Sequence, residues 1–182
     1  GTLVYAPAVV DGSVYFGSLD HFVYSLSAAT GTLNWRYETG DWVHATPAIA
    51  DGKVFIGSSD SFVYALDAKN GSLLWKYKTG DSVAASQAYA NGRVYTGSDD
   101  YYVYAIDART GEVVLRYRTD FEICSSPAVV DGKVYIGSDD YYVYALGKNV
   151  TPVSPSYELY AGIAIVAIGI ACVAAYLFWY KR

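Results

Sequence analysis

One feature constrains this chain above all others: it repeats. The string DGSVYFGSLDHFVYSL at 11–26 returns as DGKVFIGSSDSFVYAL at 51–66, as NGRVYTGSDDYYVYAI at 91–106 and as DGKVYIGSDDYYVYAL at 131–146. Successive copies are offset by 40 residues with no insertion. A period of this length marks a stack of supersecondary units, each burying its apolar faces only against its neighbours.

Within a unit, four strand-like runs are separated by turn signals. In the second unit they are predicted at 43–50, 53–57, 62–67 and 73–79, with turns at Asp51-Gly52, Ser59-Asp60-Ser61 and Asn70-Gly71. Asp-Gly and Asn-Gly accept the positive φ of tight hairpins, so the unit reads as an antiparallel meander. The runs VYFG, VYSL, VFIG and VYAL are almost continuously apolar rather than alternating, which means burial on both faces. Four-stranded meanders stacked around an axis produce that pattern, so the fold class is all-β, a β-propeller. The blades are expected at about 1–40, 41–80, 81–120 and 121–147, with the first inner strand at 3–10. The last blade is expected to hold three strands, giving fifteen in all and an open arc.

Beyond the repeats the composition changes. Segment 148–158 (KNVTPVSPSYE) reads as a short extended linker. Residues 159–180 carry no charge and are flanked by tyrosine and tryptophan, and Lys181-Arg182 follow. As a helix this stretch is long enough to cross the roughly 30 Å of a bilayer's hydrocarbon, so a C-terminal transmembrane α-helix is expected, with the basic stop at 181–182 in the cytoplasm. The propeller then lies on the extracytoplasmic side of a cell membrane, in a single-pass arrangement. Ala164, Ala167, Ala171 and Ala175 share a helical stripe that permits helix–helix association, although a plain lipid anchor is the favoured reading. Asn149, in the sequon Asn149-Val150-Thr151, is the better candidate glycosylation site, the sequon at Asn70 falling in a hairpin. The chain has no methionine and no export signal ahead of the repeats. Together with the unfilled sixteenth strand, this predicts a C-terminal fragment of a longer chain.

Composition also excludes some functions. A net charge of −5 offers no basic footprint for nucleic acid, and two cysteines cannot build a disulfide framework. Inter-blade segments and the loops between second and third strands share one face of such a disc, and the copies differ most there. Candidate binding-face residues are therefore Trp42, His44, Glu122, Asp20, His21, Tyr101 and Tyr141. Asp20, Asp60, Asp100 and Asp140 occupy the same turn in every copy, which favours hairpin capping over a ligand role. Adjacent pairs Asp99-Asp100 and Asp139-Asp140 lack the six to eight oxygens that Ca²⁺ takes. Cys124 reads as a small core residue, and neither a two-histidine metal site nor a Cys124–His44 nucleophilic pair has a third group to complete it. No catalytic constellation and no metal site are expected.

The segment Ala65, Asp67, Asn70, Gly71, Trp75 resembles the tryptophan-docking pattern A-x-D-x-x-T-G-x-x-x-W of the PQQ-like (pyrroloquinoline-quinone-type) propeller repeat. The first unit matches with Ser25, Ser27, Thr30, Gly31 and Trp35; the third matches with Ala105, Asp107, Thr110 and Gly111, but has Leu115 in place of tryptophan. The resemblance implies a propeller in which tryptophan wedges between blades and glycine permits the preceding turn. It leaves three functions in view. The first is a non-catalytic, membrane-tethered scaffold for a protein or glycan partner, with no cofactor. The second is part of a PQQ-dependent dehydrogenase binding quinone and Ca²⁺, for which Glu122 has no matching partners here. The third is a surface or luminal sensor domain. A propeller followed by one span looks like a membrane-anchored surface protein.

Overall fold

A computed structural model describes residues 6–147 and 151–153. Among the described residues sixteen strands form four separate antiparallel sheets, each in simple sequential order. The first sheet comprises β1 (Ala8–Val10), β2 (Ser13–Gly17), β3 (Phe22–Ser27) and β4 (Leu33–Glu38). The second holds β5 (Ala48–Ala50), β6 (Lys53–Gly57), β7 (Phe62–Asp67) and β8 (Leu73–Lys78). The third holds β9 (Ala88–Ala90), β10 (Arg93–Gly97), β11 (Tyr102–Asp107) and β12 (Val113–Arg118). The fourth holds β13 (Ala128–Val130), β14 (Lys133–Gly137), β15 (Val143–Leu146) and β16 (Thr151–Val153).

The last strand corrects the expected three-stranded blade. The linker does not merely trail away: Thr151, Pro152 and Val153 pair with Ala145, Tyr144 and Val143. The outer edge of β15 has backbone groups that need partners, and an extended segment supplies them. Proline is tolerated there because an outermost strand has one side with no ladder to serve. The fifteen-strand count is replaced by sixteen strands in four four-stranded sheets among the described residues.

Inner strands are also shorter than the runs at 3–10 and 43–50. Each has three residues and starts just after Pro7, Pro47, Gln87 or Pro127. Before that point the chain bonds to the preceding blade instead, Val43 N–H donating to the Ser18 carbonyl at 3.1 Å and Val83 N–H to that of Ser58 at 3.0 Å. Val43, Val83 and Ile123 are buried against Gly17, Gly57 and Gly97, where a Cβ would fall 2.1–2.4 Å from their side chains.

Doubly buried strands appear where both neighbours are present. In β6, β7, β10 and β11 four consecutive residues are buried, whereas β2 of the first blade is only partly covered. The core accordingly lies between sheets. Val54 and Leu66 of the second blade pack with Tyr15 and Trp35 of the first; Val94 and Ala108 of the third pack near Trp75 of the second.

The tryptophans join consecutive blades by the same geometry twice. Trp35 Nε1 donates to the Ala68 carbonyl at 2.9 Å, and Trp75 Nε1 to that of Ala108 at 3.1 Å. Gly71 and Gly111, both at positive φ, sit directly on these rings, so a Cβ there would meet indole carbon at 2.7 and 2.8 Å. The glycine thus serves the turn of its own blade and the tryptophan of the one before.

Gly12, at φ +73° with nothing within 4 Å of a Cβ, separates the two roles. Gly12→Ala should lose only the left-handed backbone preference, about 1–2 kcal/mol. Gly71→Ala should lose that plus an overpacking cost of about 1–3 kcal/mol. Chemical denaturation of the two variants checks the difference.

Candidate functional site

The loops between second and third strands and the inter-blade segments do share a face, and a repeated clasp holds them together. Asp60 Oδ2 accepts from Gly40 N–H at 2.6 Å and from Tyr64 O–H at 2.5 Å, while Oδ1 accepts from Phe62 N–H at 3.1 Å. Asp100 repeats the set with Gly80, Tyr104 and Tyr102, and Asp140 with Asp120, Tyr144 and Tyr142. Asp20 caps Phe22 and accepts from Tyr24 O–H. Asp20 thus takes the hairpin-capping place expected of all four turn aspartates. Burial alone would raise the Asp20 and Asp140 carboxyls, but hydrogen bonds from Ser18, Tyr24 and Phe22, and from Tyr144, Tyr142 and Asp120, hold both below the usual range. Burial and the aspartate acceptor push the Tyr24, Tyr64, Tyr104 and Tyr144 hydroxyls up. The rings of the last three also pack on Tyr37, Tyr77 and Tyr117 of the preceding blade.

Two further polar positions complete the clasp. Thr39 Oγ1 lies 2.7 and 2.8 Å from the His21 and Asp41 carbonyls, and Thr79 and Thr119 repeat it. Ser58, Ser98 and Ser138 bridge from their own loop back to carbonyls at 41–42, 81 and 121–122. No chemical motif marks these residues in the sequence; the serine recurs in all four units and the threonine in three, which is the available signal.

On this frame some of the variable residues pair across a junction between blades. His21, Ser61, Tyr101 and Tyr141 occupy the left-handed position of this loop, all at φ 71–73°, and two of them, His21 and Tyr101, reach the start of the next blade. His21 Nε2 is 4.0 Å from Asp41 Oδ1, and Tyr101 stacks on Phe121 with ring centroids 5.7 Å apart. Trp42, 49% exposed, stacks on His44 at 5.6 Å. Tyr141 is 90% exposed. Phe121, exposed and absent from the sequence-level candidates, belongs to this face.

The face changes character along the arc. Trp42 and His44 line the second blade's junction; at the fourth, ligand atoms of Glu122, Cys124 and Asp139 lie within 4.8 Å of one another. Cys124 is exposed, not a core residue: at the entry to a blade it is the neighbouring Ile123 that turns inward. Its Sγ lies 3.6 Å from Asp99 Oδ1. The pairs Asp99-Asp100 and Asp139-Asp140 do not converge, since Asp100 and Asp140 turn into the clasps while Asp99 and Asp139 face Cys124. Local desolvation and the carboxylates of Asp99, Asp139 and Glu122 push the Cys124 thiol up to about 11. Desolvation, with the charges of Asp81 and Asp100, also raises the Asp99 carboxyl.

One polar substitution is interior. Gln87 takes the place of Pro7, Pro47 and Pro127; its Nε2 donates to the Ala85 carbonyl at 2.8 Å and to Thr96 Oγ1 at 3.2 Å, and its buried Oε1 has no partner. Asn149, the alanine stripe and residues 159–182 lie outside the described residues. Among the described residues no helix is long and apolar enough to cross a membrane.

Four-stranded meanders packed face to face, with tryptophan–glycine docking between them, define the chain as a β-propeller of the PQQ-like repeat type. It belongs to the family described as outer membrane protein assembly factor BamB, whose model matches residues 2–88 and again 63–149. BamB from Moraxella catarrhalis superposes with a TM-score of 0.73 at 23% identity, over 84% of this chain and 50% of that one. The computationally designed Ika4 protein gives a TM-score of 0.73 at 20% identity, over 81% of this chain and 93% of that one. A quinohemoprotein alcohol dehydrogenase from Pseudomonas putida HK5 gives 0.69 at 23% identity, over 78% and 32%. The chain thus spans about half the length of the BamB chain. No curated protein sequence matches it.

Two outcomes test the site. Asp60→Asn removes a charged acceptor that serves three donors and should cost about 1.5–3 kcal/mol of stability, measured by urea denaturation. Cys124, though exposed, should alkylate slowly: with its pKa near 11 instead of 9.0, the thiolate fraction at pH 8 is roughly a hundredfold lower than in an ordinary cysteine. Asp99→Asn with Glu122→Gln should accelerate iodoacetamide labelling, followed by mass spectrometry.

Proposed function

We propose that this chain is a non-catalytic interaction scaffold, a β-propeller held to a cell membrane on its extracytoplasmic side by residues 159–180. The observation that carries the reading is the contrast within the repeat. Positions in the aspartate clasps hardly change between units, while the face they hold together varies and exposes Trp42, Phe121 and Tyr141. Partly exposed aromatics on a rigid frame suit recognition of a protein or glycan, because they present large apolar area at low entropic cost. The family description is that of an assembly factor, which accords with a scaffold role.

The second reading, a quinone-dependent dehydrogenase, takes support from the alcohol dehydrogenase among similar structures and from the Glu122, Cys124 and Asp139 cluster. The residues on this face fit it poorly. Positions 42, 44, 82, 84, 99, 122, 124 and 139 hold no lysine or arginine to balance an anionic quinone.

Photocrosslinkers placed at Trp42 and Tyr141 in cells should trap a discrete partner, and the same group at Asn91, in a turn on the opposite face, should not. Equal trapping at both faces would end the scaffold assignment for this surface. Protease added to intact cells should remove the repeats. Purified protein that takes up added quinone and oxidises an alcohol with a dye acceptor would establish the second reading instead.

A further inference from the structure

The charges of this propeller are segregated by face. The inter-blade segments 39–46, 79–86 and 119–126, with the loops 18–21, 58–61, 98–101 and 138–141, hold ten carboxylates and no lysine or arginine. The turns of the opposite face, at 10–13, 50–53, 90–93, 130–133, 28–32, 68–72 and 108–112, mix four carboxylates with five cations. The asymmetry is therefore local and goes beyond the net charge of −5. The nearest cations in sequence, Lys78 and Arg118, end the outer strands β8 and β12, and Lys78 lies over the Phe62 ring of its own blade. Clasps account for Asp20, Asp60, Asp100 and Asp140, and six further carboxylates add their charge to the same face. Desolvation and the repulsion among these acids together raise the Asp99 carboxyl and the Cys124 thiol.

Two exposed rings stand beside these carboxylates, each at a junction with a described blade on both sides. Trp42 follows Asp41 at the first junction, and Phe121 lies between Asp120 and Glu122 at the third. Asp41 Oδ1 accepts from Trp42 N–H at 2.7 Å, which holds that acid next to its ring. Trp42 stacks on His44 at 25° and Phe121 on Tyr101 at 18°, yet each is 49% exposed, so ring surface stays open. An aromatic face beside a carboxylate suits a guanidinium or ammonium, which stacks on the ring and pairs with the acid. We infer that the loop face, through Asp41-Trp42 and Asp120-Phe121-Glu122, binds a lysine- or arginine-bearing segment of a partner protein. This rests on the scaffold reading and names its partner class. The molecule makes the same kind of contact internally, with Arg36 4.8 Å from the Phe22 ring centroid and Arg116 4.3 Å from that of Tyr102. A neutral glycan would use the rings and gain nothing from the acids. Nucleic acid or an anionic lipid surface would be repelled. Arginine fits better than lysine, because its planar fork stacks and pairs at once.

The probe is a fluorescein-labelled peptide of alternating arginine and serine, added to the full chain in neutral detergent and followed by fluorescence polarisation. It should bind, and the matching glutamine–serine peptide should not. Trp42→Leu and Phe121→Leu keep apolar bulk but lose the π face, and each should weaken binding by about two- to fivefold. Trp42→Phe should weaken it less. Asp41→Asn with Glu122→Gln should also weaken it. Asp11→Asn with Asp131→Asn, on the opposite face where Asn91 already stands in the third unit, should leave it unchanged. Unchanged urea midpoints show that the variants fold. Equal weakening by the two neutralised pairs would mean that the peptide follows net charge alone, and would overturn the proposal. So would absence of binding, leucine variants that bind like the parent, or binding that maltoheptaose displaces and high salt does not. Crosslinking separates this proposal from the scaffold reading. A protein trapped at Trp42 through a segment without lysine or arginine keeps the scaffold and overturns the cationic partner.

Discussion

Everything in this molecule depends on the fact that a four-stranded meander cannot cover its own faces. With side chains alternating across each strand and apolar on both sides, a blade alone would expose residues such as Val54, Phe55, Val63 and Leu66 together. Burial is achieved only by the neighbouring blade, and it is complete only in β6, β7, β10 and β11, which have a blade on each side. The gradient of burial from the middle blades to the outer two is a direct consequence of stacking in one dimension.

Two polar devices set the distance and angle between blades. On one side, tryptophan carries an indole across to a carbonyl and a glycine of the next unit. On the other, an aspartate gathers a backbone N–H from the inter-blade segment and a tyrosine hydroxyl from its own blade. Each satisfies groups that would otherwise be desolvated without partners. Because the aspartate clasps lie in the loops, the face they rigidify is also the one where residues are free to vary. Trp42, His44, Tyr101, Phe121 and Tyr141 are displayed by a frame that does not depend on their identity.

Much of this was legible in the repeat. Comparison of four copies separated invariant turns from variable positions and placed the variable ones on a single face. The pairing of those positions was not legible. His21 with Asp41 and Tyr101 with Phe121 are half a repeat apart, and only the approach of one blade's loop to the next blade's entry brings them together. Cys124, expected as a small core residue because it is a lone cysteine, lies instead on the exposed side of the blade entry. The chain there bonds to the preceding blade, with Ile123 inward and Cys124 outward among carboxylates. The fourth outer strand was missed because two prolines in 148–158 argue against a strand, an objection that carries no weight at an outermost edge.

By itself the amino-acid sequence determined the blade. The forty-residue period, the hairpin turns and the doubly apolar strands admit one architecture, since each encodes local geometry that no tertiary contact need supply. Tertiary structure alone decided what each recurring residue is for. Asp60 could have been a cap or a ligand, and Gly71 a turn or a contact surface. Asp60 caps its own turn and also ties in the preceding blade, and Gly71 is both turn and contact surface, because Gly40 N–H and the Trp35 ring belong to the neighbouring blade.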